Sequence, residues 1–177
     1  MTEAIDPRFP IGKFESLPYS EKQRDLWLAD ILFLPRQLEY AILNLNDTHL
    51  DAPYREGGWT VKQVVHHVAD SHMNAYIRTK LAFTEDHPTI RPYDEKAWAE
   101  THDIAHVPIN ISITLLHALH TRWYDFLKNL SEEEFKRTAI HPESKRVFSL
   151  WDFLGLYAWH GRHHVAHITS LREGMGW

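Results

Sequence analysis

Ser149-Leu-Trp-Asp152-Phe-Leu-Gly-Leu-Tyr-Ala-Trp-His160-Gly-Arg-His163-His164-Val-Ala-His167-Ile-Thr-Ser-Leu171 is the stretch from which the fold can be read. At about 100° per residue, Leu150, Phe153, Leu154, Tyr157, Gly161, His164, Ile168 and Leu171 fall in one stripe, the pattern of a helix that buries one face. Ser149 with Asp152 three residues on reads as its N-terminal cap, and Gly174 as its terminator. His160 and His164 are four apart, so they stack one turn apart on the same face. That spacing lets two imidazoles grip one metal ion. His163 and His167 form a second such pair, but His163 lies about 100° from His164, which makes that pair surface or interface residues. His160 and His167 are about 10 Å apart along the axis, so the four histidines cannot share one ion. Burying imidazoles costs free energy unless their nitrogens find partners. The His160/His164 pair is therefore half of a metal site or part of a hydrogen-bonded polar patch.

Three more helices precede this one. Ser20 and Gln23 have the capping-box spacing and open a helix over about 21–45, in which Pro35 predicts a kink or break. Thr60 and Gln63 repeat the box and open a second, Val61–Thr84. A third spans about 111–130, with Leu115, Leu116, Leu119, Trp123, Phe126, Leu127 and Leu130 at helical spacing. Residues 1–19, with Pro7, Pro10 and Pro18, read as an extended arm. Residues 85–108 are a long irregular stretch, too aromatic for disorder, with a short helix near 95–101. Ser131 to Glu134 caps one helical turn, and 137–148 form a small β-hairpin. Four long helices around one core predict a single all-α domain over 1–177, an antiparallel four-helix bundle with a long crossover after the second helix.

Composition narrows the chemistry. The chain has 177 residues, no cysteine and a net charge of −5. Thiolate ligands, disulfides and a cysteine nucleophile are excluded, so any metal must be held by His, Asp, Glu or water. No basic run points to nucleic acid. No stretch of 18 or more apolar residues points to a membrane span, and the opening residues lack the form of a signal peptide. The cytoplasm is the default location.

A catalytic metal needs a third protein ligand and an open position. The second helix offers His66, His67 and His72. His72 sits near the centre of the apolar face made by Val61, Val64, Val65, Val68, Ala75, Tyr76 and Ala82. His67 lies at its edge, on a polar stripe with Ser71, Asn74 and Arg78 that either lines a pocket or faces water. Periodicity does not choose between His67 and His72.

Gly57-Gly58-Trp59-Thr60-Val-Lys-Gln-Val-Val-His66-His67-Val-Ala-Asp70-Ser71-His72 resembles the second-helix motif of the DinB/YfiT-like family of four-helix metalloproteins. There a ligand histidine follows the tryptophan by eight residues, here His67. The family's His-x-x-x-His pair on the last helix matches His160 and His164. Arg91-Pro-Tyr93-Asp94-Glu-Lys-Ala-Trp98 and Leu156-Tyr157-Ala-Trp159-His160 are similar to its YfiT branch. The resemblance covers essentially the whole chain. It implies an up-down-down-up bundle, one divalent ion per subunit on His67, His160 and His164 (zinc, with nickel as the alternative), and a homodimer. It also implies a small-molecule substrate and one of two activities: a metal-dependent hydrolase activating water, or a thiol S-transferase of the bacillithiol type that binds a low-molecular-weight thiol as thiolate. A bundle with a purely structural metal is the third reading. Asp70 and Asp152 are candidates to orient the ligands, against plainer roles as a surface charge and a helix cap. Arg78, Arg91, Tyr93 and Asp94 are candidates for substrate contact, against solvated or packing roles.

Overall fold

The computed structural model describes residues 6–177; the first five residues of the expected arm lie outside the described part. Eight helices and two short strands follow in the order α1 (Glu21–Ile42), α2 (Asp47–Leu50), α3 (Val61–Thr84), α4 (Glu95–Trp98), α5 (His102–His106), α6 (Ile109–Leu127), α7 (Glu132–Phe135), β1 (Thr138–Ile140), β2 (Val147–Ser149) and α8 (Leu150–Met175). The four long helices are α1, α3, α6 and α8.

The expected capping boxes at Thr60/Gln63 and Ser149/Asp152 are formed, and they set where α3 and α8 begin. Other boundaries differ. α1 stops at Ile42 and a separate turn, α2, follows with its own box on Asn46. α6 runs 109–127 rather than 111–130. α8 passes through Gly174 and ends at Gly176, whose φ of 72° supplies the left-handed cap. Pro35 lies inside α1 without breaking it, because the carbonyl it deprives of a partner, that of Ile31, accepts a hydrogen bond from Nδ1 of His120 on α6.

The helix directions can be read from pairs of contacts. Trp27 meets Trp151 and Arg172 reaches the carbonyl of Ala41 at 2.8 Å, so α1 and α8 run parallel. His66 meets Ser112 and His72 meets His120, so α3 and α6 run parallel. His72 meets His160 and Arg78 meets Tyr157, so α3 and α8 are antiparallel. This is the up-down-down-up arrangement rather than an all-antiparallel one. The parallel neighbours α1 and α8 approach closely because α8 carries Gly155 and Gly161: a Cβ at these positions would stand 2.6 Å from the Trp27 ring and 2.8 Å from Leu34.

The crossover between α3 and α6 is packed down rather than loose. The Ile90 N–H donates to the carbonyl of Ile140 in β1, whose own N–H donates to the Pro88 carbonyl, both at 2.9 Å, and Gln63 Nε2 donates to the carbonyl of Ala99 at 3.0 Å. The hairpin pairs Thr138 with Ser149 and Ile140 with Val147. Among the described residues, no helix is long and apolar enough to cross a membrane.

The apolar core comes in two parts. One gathers around Trp27, Trp123, Trp151 and Leu154; the other around Leu34, Leu38, Val61, Val65, Leu116 and Ile168. Between them, at the same level on three helices, lie His67 and His72 of α3, His120 of α6, and His160 and His164 of α8. A polar layer through the middle of a bundle is costly unless each nitrogen is partnered.

Candidate metal centre

α3 presents His67 seven residues past its Thr60 cap. The Trp59 indole packs against the His67 ring, with centroids 4.6 Å apart. α8 comes from the opposite direction and brings His160 and His164, one turn apart, to the same place. Nε2 of His160 lies 3.4 Å from Nε2 of His67 and 3.2 Å from Nε2 of His164. The ligating atoms of all three lie within 4.8 Å of one another. Tetrahedral bonds of about 2.0–2.1 Å to zinc place neighbouring nitrogens about 3.4 Å apart, so the spacing is that of a coordination edge. Among the described residues, no fourth His, Cys, Asp or Glu joins the group. Three neutral nitrogen donors with no fourth fit a catalytic rather than a closed structural site, and imidazole suits zinc and nickel alike.

Electrostatics favour the state that binds metal. Burial pushes His67 down to about 4. Burial, then the neighbouring rings, drive His160 and His164 well below the ordinary 6.5. All three are neutral at neutral pH, with a lone pair available. His67 and His164 are buried, while His160 keeps a partly open edge.

The three rings are backed by further histidines, only some of which the sequence pattern marks. His72, one of the two candidates on α3, is fully buried and stands behind His160, its Nε2 3.0 Å from Nδ1 of that ring. Its own Nδ1 is 3.0 Å from Nε2 of His120. His120 was missed, since one histidine in the Leu116–Trp123 stripe carries no pattern of its own. His163 and His167, expected at the surface or an interface, are buried. Phe9 and Trp159 pack on His163, and Tyr54 stacks on His167 at 4.0 Å. The arm supplies the cover: the Arg8 carbonyl meets His167 Nε2 at 3.4 Å, and Trp159 and Trp151 donate to the carbonyls of Gly12 and Leu17. Thus the groups facing the second nitrogens of His160 and His164 are histidines, not Asp70 or Asp152. Asp152 is used in the α8 capping box and accepts from Ser16.

The stripe running from His67 along α3 does turn inward. Ser71 is buried, and Arg78 is half-buried. Arg78 donates through Nη2 to the Arg91 carbonyl at 2.7 Å and lies 5.8 Å from the Tyr93 ring. The Tyr93 hydroxyl and Arg78 Nε are buried without a hydrogen-bond partner, and burial raises the Tyr93 hydroxyl to about 12. Asp70, one turn after His67, is raised to about 6, first by burial and then by the charge of Asp103. Asp94 is exposed and accepts from the amides of Lys96 and Ala97 as the α4 cap.

The sequence profile of the DinB superfamily matches residues 32–168, which include all three converging histidines. The chain belongs to the DinB superfamily. Over 177 residues it is 48% identical to YfiT of Bacillus subtilis, provisionally named a metal-dependent hydrolase, with 98% of each chain covered. A Bacillus cereus protein (strain 03BB102) with the same provisional name is 51% identical over 173 residues, covering 97% of this chain and 99% of that one. The solved structure of Bacillus subtilis YfiT is described as "a probable metal-dependent hydrolase with an unusual four-helix bundle topology"; it matches with a TM-score of 0.94, covering 97% of this chain and 98% of that one.

Proposed function

We propose that this DinB-superfamily chain is a metal-dependent hydrolase whose His67, His160 and His164 hold one divalent ion, zinc in the first instance. The observation that carries the reading is the convergence of three neutral imidazoles, with Nε2 of His160 at coordination spacing from Nε2 of His67 and of His164, and no fourth His, Cys, Asp or Glu in the group among the described residues. Names given to close relatives point the same way. When bound, the ion supplies a Lewis acid that polarises a substrate carbonyl and lets water ionise near neutral pH.

The chain's own residues supply the rest. Asp70, half-buried and poised near 6, has the proton affinity of a general base working near neutral pH. Arg78 and Tyr93 offer unpartnered donors, Nε and the hydroxyl, to the polar atoms of a small-molecule substrate. Trp59 lies over His67 and shields that ring from water.

The test is turnover of a panel of model esters and amides by the purified full chain loaded with Zn²⁺. Cleavage that stops on chelation and returns with Zn²⁺ is expected. Consumption of an electrophile only when a low-molecular-weight thiol is present, with no hydrolysis, would contradict this reading in favour of thiol transfer.

A further inference from the structure

Two chains of hydrogen-bonded rings lead away from the converging nitrogens, and each ends on a backbone carbonyl. Behind His160 the sequence is His160 Nδ1, His72 Nε2 at 3.0 Å, His72 Nδ1, His120 Nε2 at 3.0 Å, and His120 Nδ1 on the carbonyl of Ile31. Behind His164 it is His164 Nδ1, His167 Nδ1 at 3.4 Å, and His167 Nε2 at 3.4 Å from the carbonyl of Arg8. A carbonyl can only accept. A neutral imidazole has one N–H and one bare nitrogen. Once the ring nearest the carbonyl must donate to it, the proton position on every later ring is dictated.

We infer that His120, His72 and His167 are positioning residues that hold His160 and His164 in the tautomer with a proton on Nδ1 and a bare Nε2. The inference concerns the ligands assigned in the proposed function and rests on that reading for its purpose, though not for its geometry. Starting at Ile31, His120 carries its proton on Nδ1 and accepts at Nε2 from His72. His72 carries its proton on Nδ1 and accepts at Nε2 from His160. His160 must then donate from Nδ1, which leaves Nε2 bare on the side of His67 and His164. Starting at Arg8, His167 carries its proton on Nε2 and accepts at Nδ1 from His164, which leaves Nε2 of His164 bare.

The backbone takes part in both relays. Pro35 has no N–H to offer the Ile31 carbonyl four residues earlier, so that oxygen is free of its helical bond and turns to His120. The other anchor, Arg8, belongs to the arm, so the arm fixes a ligand as well as covering it. Outer partners of metal-bound histidines characteristically set ring orientation and tautomer. Here that task falls to further histidines, which explains why five of them occupy one layer of the core.

The test reads tautomers directly in metal-free protein. Long-range ¹H–¹⁵N spectra of the full chain labelled on histidine nitrogens should show Nδ1 protonated and Nε2 bare in His120, His72, His160 and His164. His167 should show the reverse. A proton on Nε2 of His160 or His164 would overturn the inference. Zn²⁺ affinity, measured by competition with a chelating indicator, provides the second arm. His167→Phe keeps an aromatic ring against Tyr54 but removes the acceptor, and should lower affinity about 10–100-fold. His167→Gln, whose amide both accepts and donates, should recover most of that loss. Equal affinity in H167F and wild type would overturn the His167 relay. Failure of the wild type to bind Zn²⁺ would instead contradict the proposed function and leave the tautomer result to decide the relay.

Discussion

Gly155 of α8 lies directly beneath the indole of Trp27 of α1, so close that a Cβ would stand 2.6 Å from the ring. The contact fixes how near the two parallel helices come. It sits one to two turns from His160 on the same helix. Gly155→Ala should destabilise the protein by about 1–3 kcal/mol despite the better helix propensity of alanine, because the rigid indole must move. Gly161→Ala should cost less, since the opposing atoms are Leu34 methyls that can rotate away. Thermal denaturation of the two variants beside the wild type checks the order. Equal or raised melting temperatures for G155A would contradict the packing account.

Asp70 gives the account a kinetic signature. A carboxyl raised to about 6 by burial and by Asp103 accepts protons only above that pH. The pH profile of kcat/KM should therefore rise through about 6 on its acid side. Asp70→Asn should remove that limb and lower kcat by about 10²–10⁴-fold, while Zn²⁺ affinity stays near that of the wild type. An unchanged profile in D70N would remove Asp70 from the chemistry.

The histidine layer also makes the metal-free fold sensitive to acid. Burial holds His67, His120, His163 and His167 at about 4, whereas the unfolded chain has the ordinary 6.5. Between these values the unfolded state binds protons that the folded state refuses, so stability is present above about 6.5 and is lost as pH falls toward 4. Asp70 runs the other way, from 3.8 unfolded to about 6 folded, but it is one group against several. The melting temperature of metal-free protein should be level above about pH 7 and drop steadily below it. A level curve down to pH 5 would show that these rings are not buried as described.

Local signals in the chain account for much of this architecture. Thr60 with Gln63 and Ser149 with Asp152 place the starts of α3 and α8 because capping needs only neighbours three residues apart. The sequence alone points to Gly174 as the end of α8 because two glycines stand close together, and only the chain's path selects Gly176 for the left-handed turn. Pro35 taken alone predicts a kink or break, because its compensation lies on another helix, in His120. Helical angle alone puts His163 and His167 at the surface or an interface, yet they are covered by Phe9 and Arg8, residues of an arm with no periodicity to announce where it docks. Periodicity could not decide between His67 and His72; the family resemblance pointed to His67. In the folded chain both belong to the same layer, one facing the point of convergence and the other supporting it from behind.

The most direct measurement is metal content and affinity of the purified full chain beside His67→Ala, His160→Ala and His164→Ala. Elemental analysis of the wild type should give about one divalent ion per chain, and each single alanine variant should lose most of it while keeping the helical far-ultraviolet signal. Stoichiometric metal retained by any two of the three variants, or none in a wild type supplied with Zn²⁺, would contradict the account.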